Sequence, residues 1–251
     1  MGKEPQEMKG LLIAIQFLTI IPVRGNFQMR DFSGATIFFP LIGLLIGSIL
    51  GLLYFVTSFY FTSFTASAVI VVGEIILTSG LHLDGFIDTI DALASGKDRE
   101  ATLAIFRDIH TGAKSVLAVF ALLLGKFVLV AEFHPPIIYP LLLTMPVIGR
   151  WIQVGAMALF PYAREAGLGT GFINNIGPWH LLAATLFTLV ATGCLLGIPG
   201  LTGMVLIGIM AYGCAVLLSR RLGGLVGDIY GAFGEVGEVF LLLLMAVFIR
   251  L

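Results

Sequence analysis

Three aspartates, Asp84, Asp88 and Asp91, fall within eight residues of a chain that is 58% hydrophobic and only 12% charged. On an α-helix a step of four residues turns about 40° past one circuit, and a step of seven falls about 20° short of two. The three carboxylates therefore stack along one face, where like charges repel. A cation on the stripe relieves that repulsion. Hard divalent cations such as Mg²⁺ take carboxylate oxygen and commonly bridge one or two carboxylates to substrate phosphates. The stripe thus points to metal-assisted phosphate chemistry, with Asp84, Asp88 and Asp91 as ligands. The plain alternative is a solvated helix face. Against it, the intervening Phe86, Ile87 and Ile90 make an amphipathic helix suited to a membrane surface. His82 precedes the first aspartate by two residues and titrates near neutral pH, so it is a candidate general base. A hydrogen-bonded interface histidine is the alternative. Gly85 leaves room for a ligand to approach the backbone closely.

Three further segments carry candidates. Arg107-Asp108-Ile109-His110-Thr111-Gly112 opens an apolar span, where backbone N–H groups and the helix dipole favour an anion. Asp108 is a candidate fourth metal carboxylate or, alternatively, a helix cap. His110 is a candidate substrate contact beside it. Lys97 and Arg99, in the same loop, are placed to neutralise phosphate oxygens or simply to sit at the interface. Arg164 lies in Pro161-Tyr162-Ala163-Arg164-Glu165-Ala166-Gly167-Leu168-Gly169, and its guanidinium suits bidentate phosphate recognition. Asp228 lies in the run from Gly223 to Ala232, which reads as a glycine-rich turn with a metal or ribose contact. No P-loop, dinucleotide fingerprint, cysteine nucleophile or Ser/His/Asp order is present.

The elements that must position these residues are membrane helices. The chain has 251 residues and 31 glycines, and its mean hydropathy is +1.04. Several apolar runs reach the roughly 20 residues needed to cross a bilayer. The alternating ten-residue strands of a membrane barrel are missing. The expected fold is all-α, a polytopic transmembrane bundle forming a single membrane domain over 1–251. Six spans are expected near 34–57, 63–80, 111–133, 136–159, 179–196 and 201–219, with a seventh near 235–250. Segment 11–22 is too short to cross and is expected to be re-entrant or interfacial. A net charge of −1 gives no reason to expect a nucleic-acid partner. Cys194 and Cys214 lie in apolar runs and are too few for a disulfide framework or zinc site. Segment 8–23 lacks the small-residue cleavage site of a signal peptide.

The loops near 59–62, 134–135 and 197–200 carry no Lys or Arg. Those with Arg24 and Arg30, with Lys97, Arg99 and Arg107, with Arg164, and with Arg220 and Arg221 all fall on one side. The positive-inside rule makes that side, and the stripe with it, cytoplasmic. Gly43, Gly47 and Gly51 form a small-residue stripe for close helix packing. Lys126 and Glu132 are read as snorkelling toward the far interface. Glu74, at membrane depth, is either near the site or structurally paired.

Five blocks, in order over nearly the whole chain, carry a family resemblance. They are Gln16-Phe-Leu-Thr-Ile-Ile-Pro22, Phe39-Pro-Leu-Ile-Gly43, Leu81-His-Leu-Asp-Gly-Phe-Ile-Asp-Thr-Ile-Asp-Ala92, Arg107-Asp-Ile-His-Thr-Gly-Ala113, and Pro161-Tyr-Ala-Arg164 with the run Gly223–Ala232. The chain resembles the cobalamin synthase (adenosylcobinamide-GDP ribazoletransferase) family. Val226 stands where that family usually has Thr, and Ala113-Lys114-Ser115 departs from its usual ending. The resemblance implies the last step of cobalamin nucleotide-loop assembly: adenosylcobinamide-GDP joins α-ribazole or its 5′-phosphate, releasing GMP. It also implies Mg²⁺, a cytoplasmic-membrane location, and possible self-association or association with other cobalamin-assembly enzymes. The implied attack is by the 5′ hydroxyl of α-ribazole, or its phosphate, on the cobinamide-linked phosphorus. His82 or a carboxylate takes the proton, and Arg164 and Arg99 hold phosphate oxygens. A partial match to the D-x-x-D-G…D-x-x-x-D stripe keeps a CDP-alcohol phosphotransferase as one rival. A transporter is the other, although acidic residues gather in loops rather than at broken midplane helices.

Overall fold

The structure is a computed structural model and describes residues 6–25, 27–28, 31–164, 168–173 and 176–249. Arg30, Glu165, Ala166, Gly167 and Arg250, which enter the sequence expectations, lie outside the described residues. In order the helices are α1 (Gln6–Leu18), a 3-10 turn (Ser33–Phe38) running into α2 (Phe39–Ser58), α3 (Ser63–Leu77), α4 (Leu81–Ala94), α5 (Arg99–Ile105), α6 (Ala113–Glu132), α7 (Ile138–Leu159), α8 (Leu168–Ile173), α9 (Pro178–Leu222) and α10 (Gly227–Phe248). Among the described residues there is no strand, only an isolated bridge between Tyr162 and Leu225.

Five helices are long and apolar enough to cross a membrane: α2 with its 3-10 lead, α6, α7, α9 and α10. α3 and α4, bent by 87° at their junction, pass the same test only as a pair, as a broken span or a re-entrant loop. α9 is itself two arms. Gly197 has φ 61° and ψ −148°, and Pro199 follows it. A Cβ at position 193 would lie 3.7 Å from Leu201 Cδ1, whereas eight residues of straight helix rise about 12 Å. The chain turns back there, so the spans expected at 179–196 and 201–219 are the two arms. α1, with 13 residues, is too short to cross.

One expectation is corrected. α10 begins at Gly227 rather than near 235, so Asp228 sits in its first turn and not in a glycine-rich loop. The glycines there are packing surfaces. A Cβ at Gly231 would meet His82 Cα at 3.1 Å, and one at Gly234 would meet Gln153 Nε2 at 2.6 Å. The same device joins α2 to α7: a Cβ at Gly43 would meet Pro146 O at 2.6 Å, and one at Gly47 would meet Leu142 O at 2.5 Å. Gly51 has more room, 3.7 Å to Leu143 Cδ1. Small residues of this kind let membrane helices approach to backbone contact. Outward faces are apolar, as at Leu117, Phe120, Val190 and Ile209.

Lys126 does not snorkel. It is buried, and its Nζ donates to Glu74 Oε2 (3.0 Å), Glu235 Oε2 (2.9 Å) and Glu238 Oε2 (2.7 Å). Arg150, fully buried, donates through Nη1 to Glu238 Oε1. One ammonium and one guanidinium thus hold three carboxylates and tie α3, α6, α7 and α10 together. Glu74 is a structural partner, the second of its two sequence readings.

Two stability predictions follow from these contacts. Lys126→Met leaves three carboxylates buried without their ammonium, and breaking a buried pair this way costs about 3–5 kcal/mol. Denaturant unfolding of the detergent-purified protein should show a loss of that size. Val226 is the N-cap of α10, in extended conformation (φ −119°, ψ 166°) with no side-chain cap bond. Val226→Thr supplies the missing acceptor, and the same measurement should show a gain of about 0.5–1 kcal/mol.

Candidate active site

The stripe owes its position to a turn and to a glycine contact. Ser79 (φ 54°) and Gly80 (φ 64°) both adopt left-handed backbone and swing α4 away from α3. Non-glycine residues hold that conformation at a cost of about 1–3 kcal/mol. α4 then runs against the start of α10. Its buried face carries His82, Leu83, Gly85, Phe86, Thr89 and Ala92. Asp84 is exposed on the opposite side, with Asp88 and Asp91 half-buried. Gly85 does not leave space for a ligand: a Cβ there would lie 2.7 Å from Asp228 O and 2.9 Å from Asp228 Cα. The room is taken by the first turn of α10, and that close approach brings Asp228 to the stripe.

Two residues on a helix are about 200° apart, so His82 lies on the face away from Asp84. It is buried, with Nδ1 3.4 Å from Gln153 Nε2. The structure does not bring His82 to the carboxylates.

The electrostatics show which groups face one another. The charges that act on Asp88 are those of Asp228, Asp84 and Asp91, of like sign, and of Arg164, of opposite sign. Arg164 is held by a two-strand contact between distant segments. Leu225 N donates to Pro161 O and Ala163 N donates to Leu225 O, both at 2.8 Å. Gly224 (φ 149°) permits this, because a Cβ there would lie 2.5 Å from Pro161 O. The guanidinium lies 5.7 Å from the Phe106 ring centroid, with Nη2 3.9 Å from Asp228 Oδ2. That distance is a charge contact rather than a hydrogen bond. Arg164 Nε and Nη2 are buried with no hydrogen-bond partner among the described residues. A buried guanidinium with spare donors beside carboxylates is a ready anion contact.

The remaining candidates have other partners. Asp91 Oδ2 accepts from Gly112 N and Ser115 Oγ, both at 2.8 Å, and so braces the start of α6. Asp108 and His110 pair with each other at 2.6 Å in an exposed loop. That hydrogen bond lowers the Asp108 pKa, and neither residue joins the cluster. Arg99 Nε donates to Leu222 O at 2.7 Å and caps the C-terminal end of α9. Arg150 escaped the sequence reading, although an arginine inside an apolar span is itself a signal.

Among the described residues no three His, Cys, Asp or Glu side chains converge on a point that could hold a metal ion. A Mg²⁺ ion needs less than that from a protein: one or two carboxylates, with substrate phosphates and water completing six oxygens. Asp84, Asp88 and Asp228 offer only oxygen donors, and they lie close enough for the charges of Asp84 and Asp228 to act on Asp88. This donor set fits an ion shared with substrate and not a preformed cage.

The glycine contact is testable on stability alone. Gly85→Ala forces α4 from α10, and overpacking of this kind costs about 1–3 kcal/mol. Gly125, mid-helix in α6, has nothing within 4 Å of its built Cβ. Gly125→Ala should leave the unfolding midpoint unchanged or raised.

Comparison with known proteins agrees with this architecture. A family model described as cobalamin-5-phosphate synthase matches residues 10–246. An adenosylcobinamide-GDP ribazoletransferase of Desulfitobacterium hafniense is 36% identical over 94% of this chain and 96% of its own length. One from Acetivibrio thermocellus is 33% identical over 96% of this chain and 98% of its own. A third, from Roseiflexus, is 36% identical over 90% of this chain and 85% of its own. These relatives carry neither rival function in their names. No solved structure matches. The chain belongs to the cobalamin-5-phosphate synthase family.

Proposed function

We propose that the protein is a membrane-embedded adenosylcobinamide-GDP ribazoletransferase whose reaction takes place at Asp84, Asp88, Asp228 and Arg164. The relatives' shared name supports the substrates. The observation that carries the site is the half-buried Arg164, whose Nε and Nη2 are buried and unpartnered among the described residues, facing the carboxylates of α4 and α10. The basic loops gather at this end: Arg221 Nη2 reaches Lys97 O at 3.4 Å, and Arg99 reaches Leu222. By the positive-inside rule that end faces the cytoplasm, in keeping with an inner-membrane enzyme that meets soluble nucleotides.

In the proposed reaction a ribose hydroxyl of the acceptor attacks the phosphorus that carries cobinamide. A new P–O bond forms, the pyrophosphate P–O bond breaks, and GMP leaves with the bridging oxygen. The family model's name speaks for a nucleophile other than the 5′ hydroxyl. A product that keeps a 5′-phosphate has no free 5′ hydroxyl to attack with, so another ribose hydroxyl does so. Asp84, the exposed carboxylate of the stripe, takes the hydroxyl proton as general base. Arg164 holds the pyrophosphate oxygens of the donor. Asp88 and Asp228 would hold Mg²⁺, which when bound neutralises charge on the phosphates and the leaving group. His82 stays outside the reaction, and Asp91 orients the loop before α6.

The test is GMP release by purified protein given adenosylcobinamide-GDP, α-ribazole and Mg²⁺. Asp84→Asn and Asp88→Asn should each lower kcat by about 10²–10³, the usual loss for removing an electrostatic stabiliser, with the unfolding midpoint retained. Wild-type turnover in either variant would sink the carboxylate assignment. No GMP from the wild-type protein would sink the reaction itself.

A further inference from the structure

Two substrates must meet at the cluster, and they differ in charge. The donor carries a pyrophosphate. The acceptor taken as α-ribazole carries no phosphate: it is a neutral heterocyclic base on a ribose whose hydroxyl reacts. Arg164 marks the donor's side, next to Asp228 and the first turn of α10. On the other side of α4 a groove of about 630 Å³ runs between α1, the α3–α4 turn and α6. Asp84 forms part of its wall, with Gln16, Phe17, Ser79, Val119 and Leu123 among the other residues lining it. No Lys or Arg lines it.

We propose that this groove is the acceptor-nucleoside site, an inference that rests on the transferase reading above. Its size falls within the range of about 300–1,000 Å³ usual for small-ligand pockets. Its apolar walls suit a flat aromatic base, and the exposed amide of Gln16 can meet a ring nitrogen or ribose hydroxyl at the rim. A pyrophosphate placed there would have Asp84 beside it and no cation to offset the repulsion. A ribose hydroxyl placed there reaches Asp84 directly, on the side of the stripe opposite Arg164. The left-handed Ser79–Gly80 turn that swings α4 away from α3 also forms one end of the groove. The same turn therefore places the carboxylates and shapes the pocket beside them.

The test is steady-state kinetics on the full chain in detergent, varying one substrate at a time. Gln16→Leu removes the rim amide, and Val119→Trp fills the groove from α6. Each should raise KM for α-ribazole by about tenfold, equivalent to one lost hydrogen bond or its packing equivalent. KM for adenosylcobinamide-GDP should stay within about twofold in both. A rise in the donor's KM instead, or no change for either substrate, overturns the assignment and marks the groove as donor-side or lipid-filled. Either result leaves the transferase reading standing, because that reading fails only if wild-type protein releases no GMP.

Discussion

The arrangement depends on a single buried ammonium. Lys126 sits in the apolar interior with three glutamates, two from α10 and one from α3, and Arg150 of α7 closes the cluster. Charges at membrane depth are tolerated only in such company. The cluster fixes the register of α10 against α6 and α7, and of α3 against α6. Those registers have consequences at the end of the bundle where the basic loops gather. With α10 fixed, its glycine face meets α4 at Gly85 and Gly231, and Asp228 arrives beside Asp84 and Asp88. With α3 fixed, the Ser79–Gly80 turn can throw α4 through 87° and present the stripe. A buried salt-bridge core thus sets the geometry of the carboxylates proposed to react.

Much of this was legible in the chain because it depends on local period and length. Apolar run lengths located the spans, including the two arms of α9, and the four-residue spacing of Gly43 and Gly47 announced the α2–α7 contact. The aspartate stripe followed from helical spacing. Loop charge identified the end of the bundle at which these residues gather. What stayed hidden were partners distant in sequence. Lys126 reads as a snorkelling lysine until Glu74, Glu235 and Glu238 are placed around it. Gly85 reads as a ligand clearance until α10 fills it. Asp91 reads as a third ligand, and its partners Gly112 and Ser115 are visible only once α6 folds against α4. His82 is a different case. Its nearness in sequence to Asp84 suggested a shared task, while the 200° between them on a helix already argued against it.

The site that results is divided. On one side of α4, Arg164 and the first turn of α10 offer a cation for phosphate; on the other, the groove proposed for the nucleoside carries Asp84 and no Lys or Arg. Asp84 and Asp88 stand between, where a phosphoryl group would pass from one to the other. The bridge Tyr162–Leu225 matters for this reason, because it fastens the loop bearing Arg164 to the start of α10. Val226, the N-cap of α10 with no side-chain cap bond, sits next to that bridge.

The central claim is that the α4 and α10 carboxylates hold a divalent cation jointly with the donor pyrophosphate. Electron–nuclear double resonance on protein loaded with Mn²⁺ in place of Mg²⁺ and with adenosylcobinamide-GDP tests it most directly. The account predicts a ³¹P hyperfine coupling between the bound Mn²⁺ and the donor phosphates that disappears in Asp88→Asn. A coupling that survives unchanged in that variant, or protein-bound Mn²⁺ with no phosphorus coupling in the wild type, would contradict it.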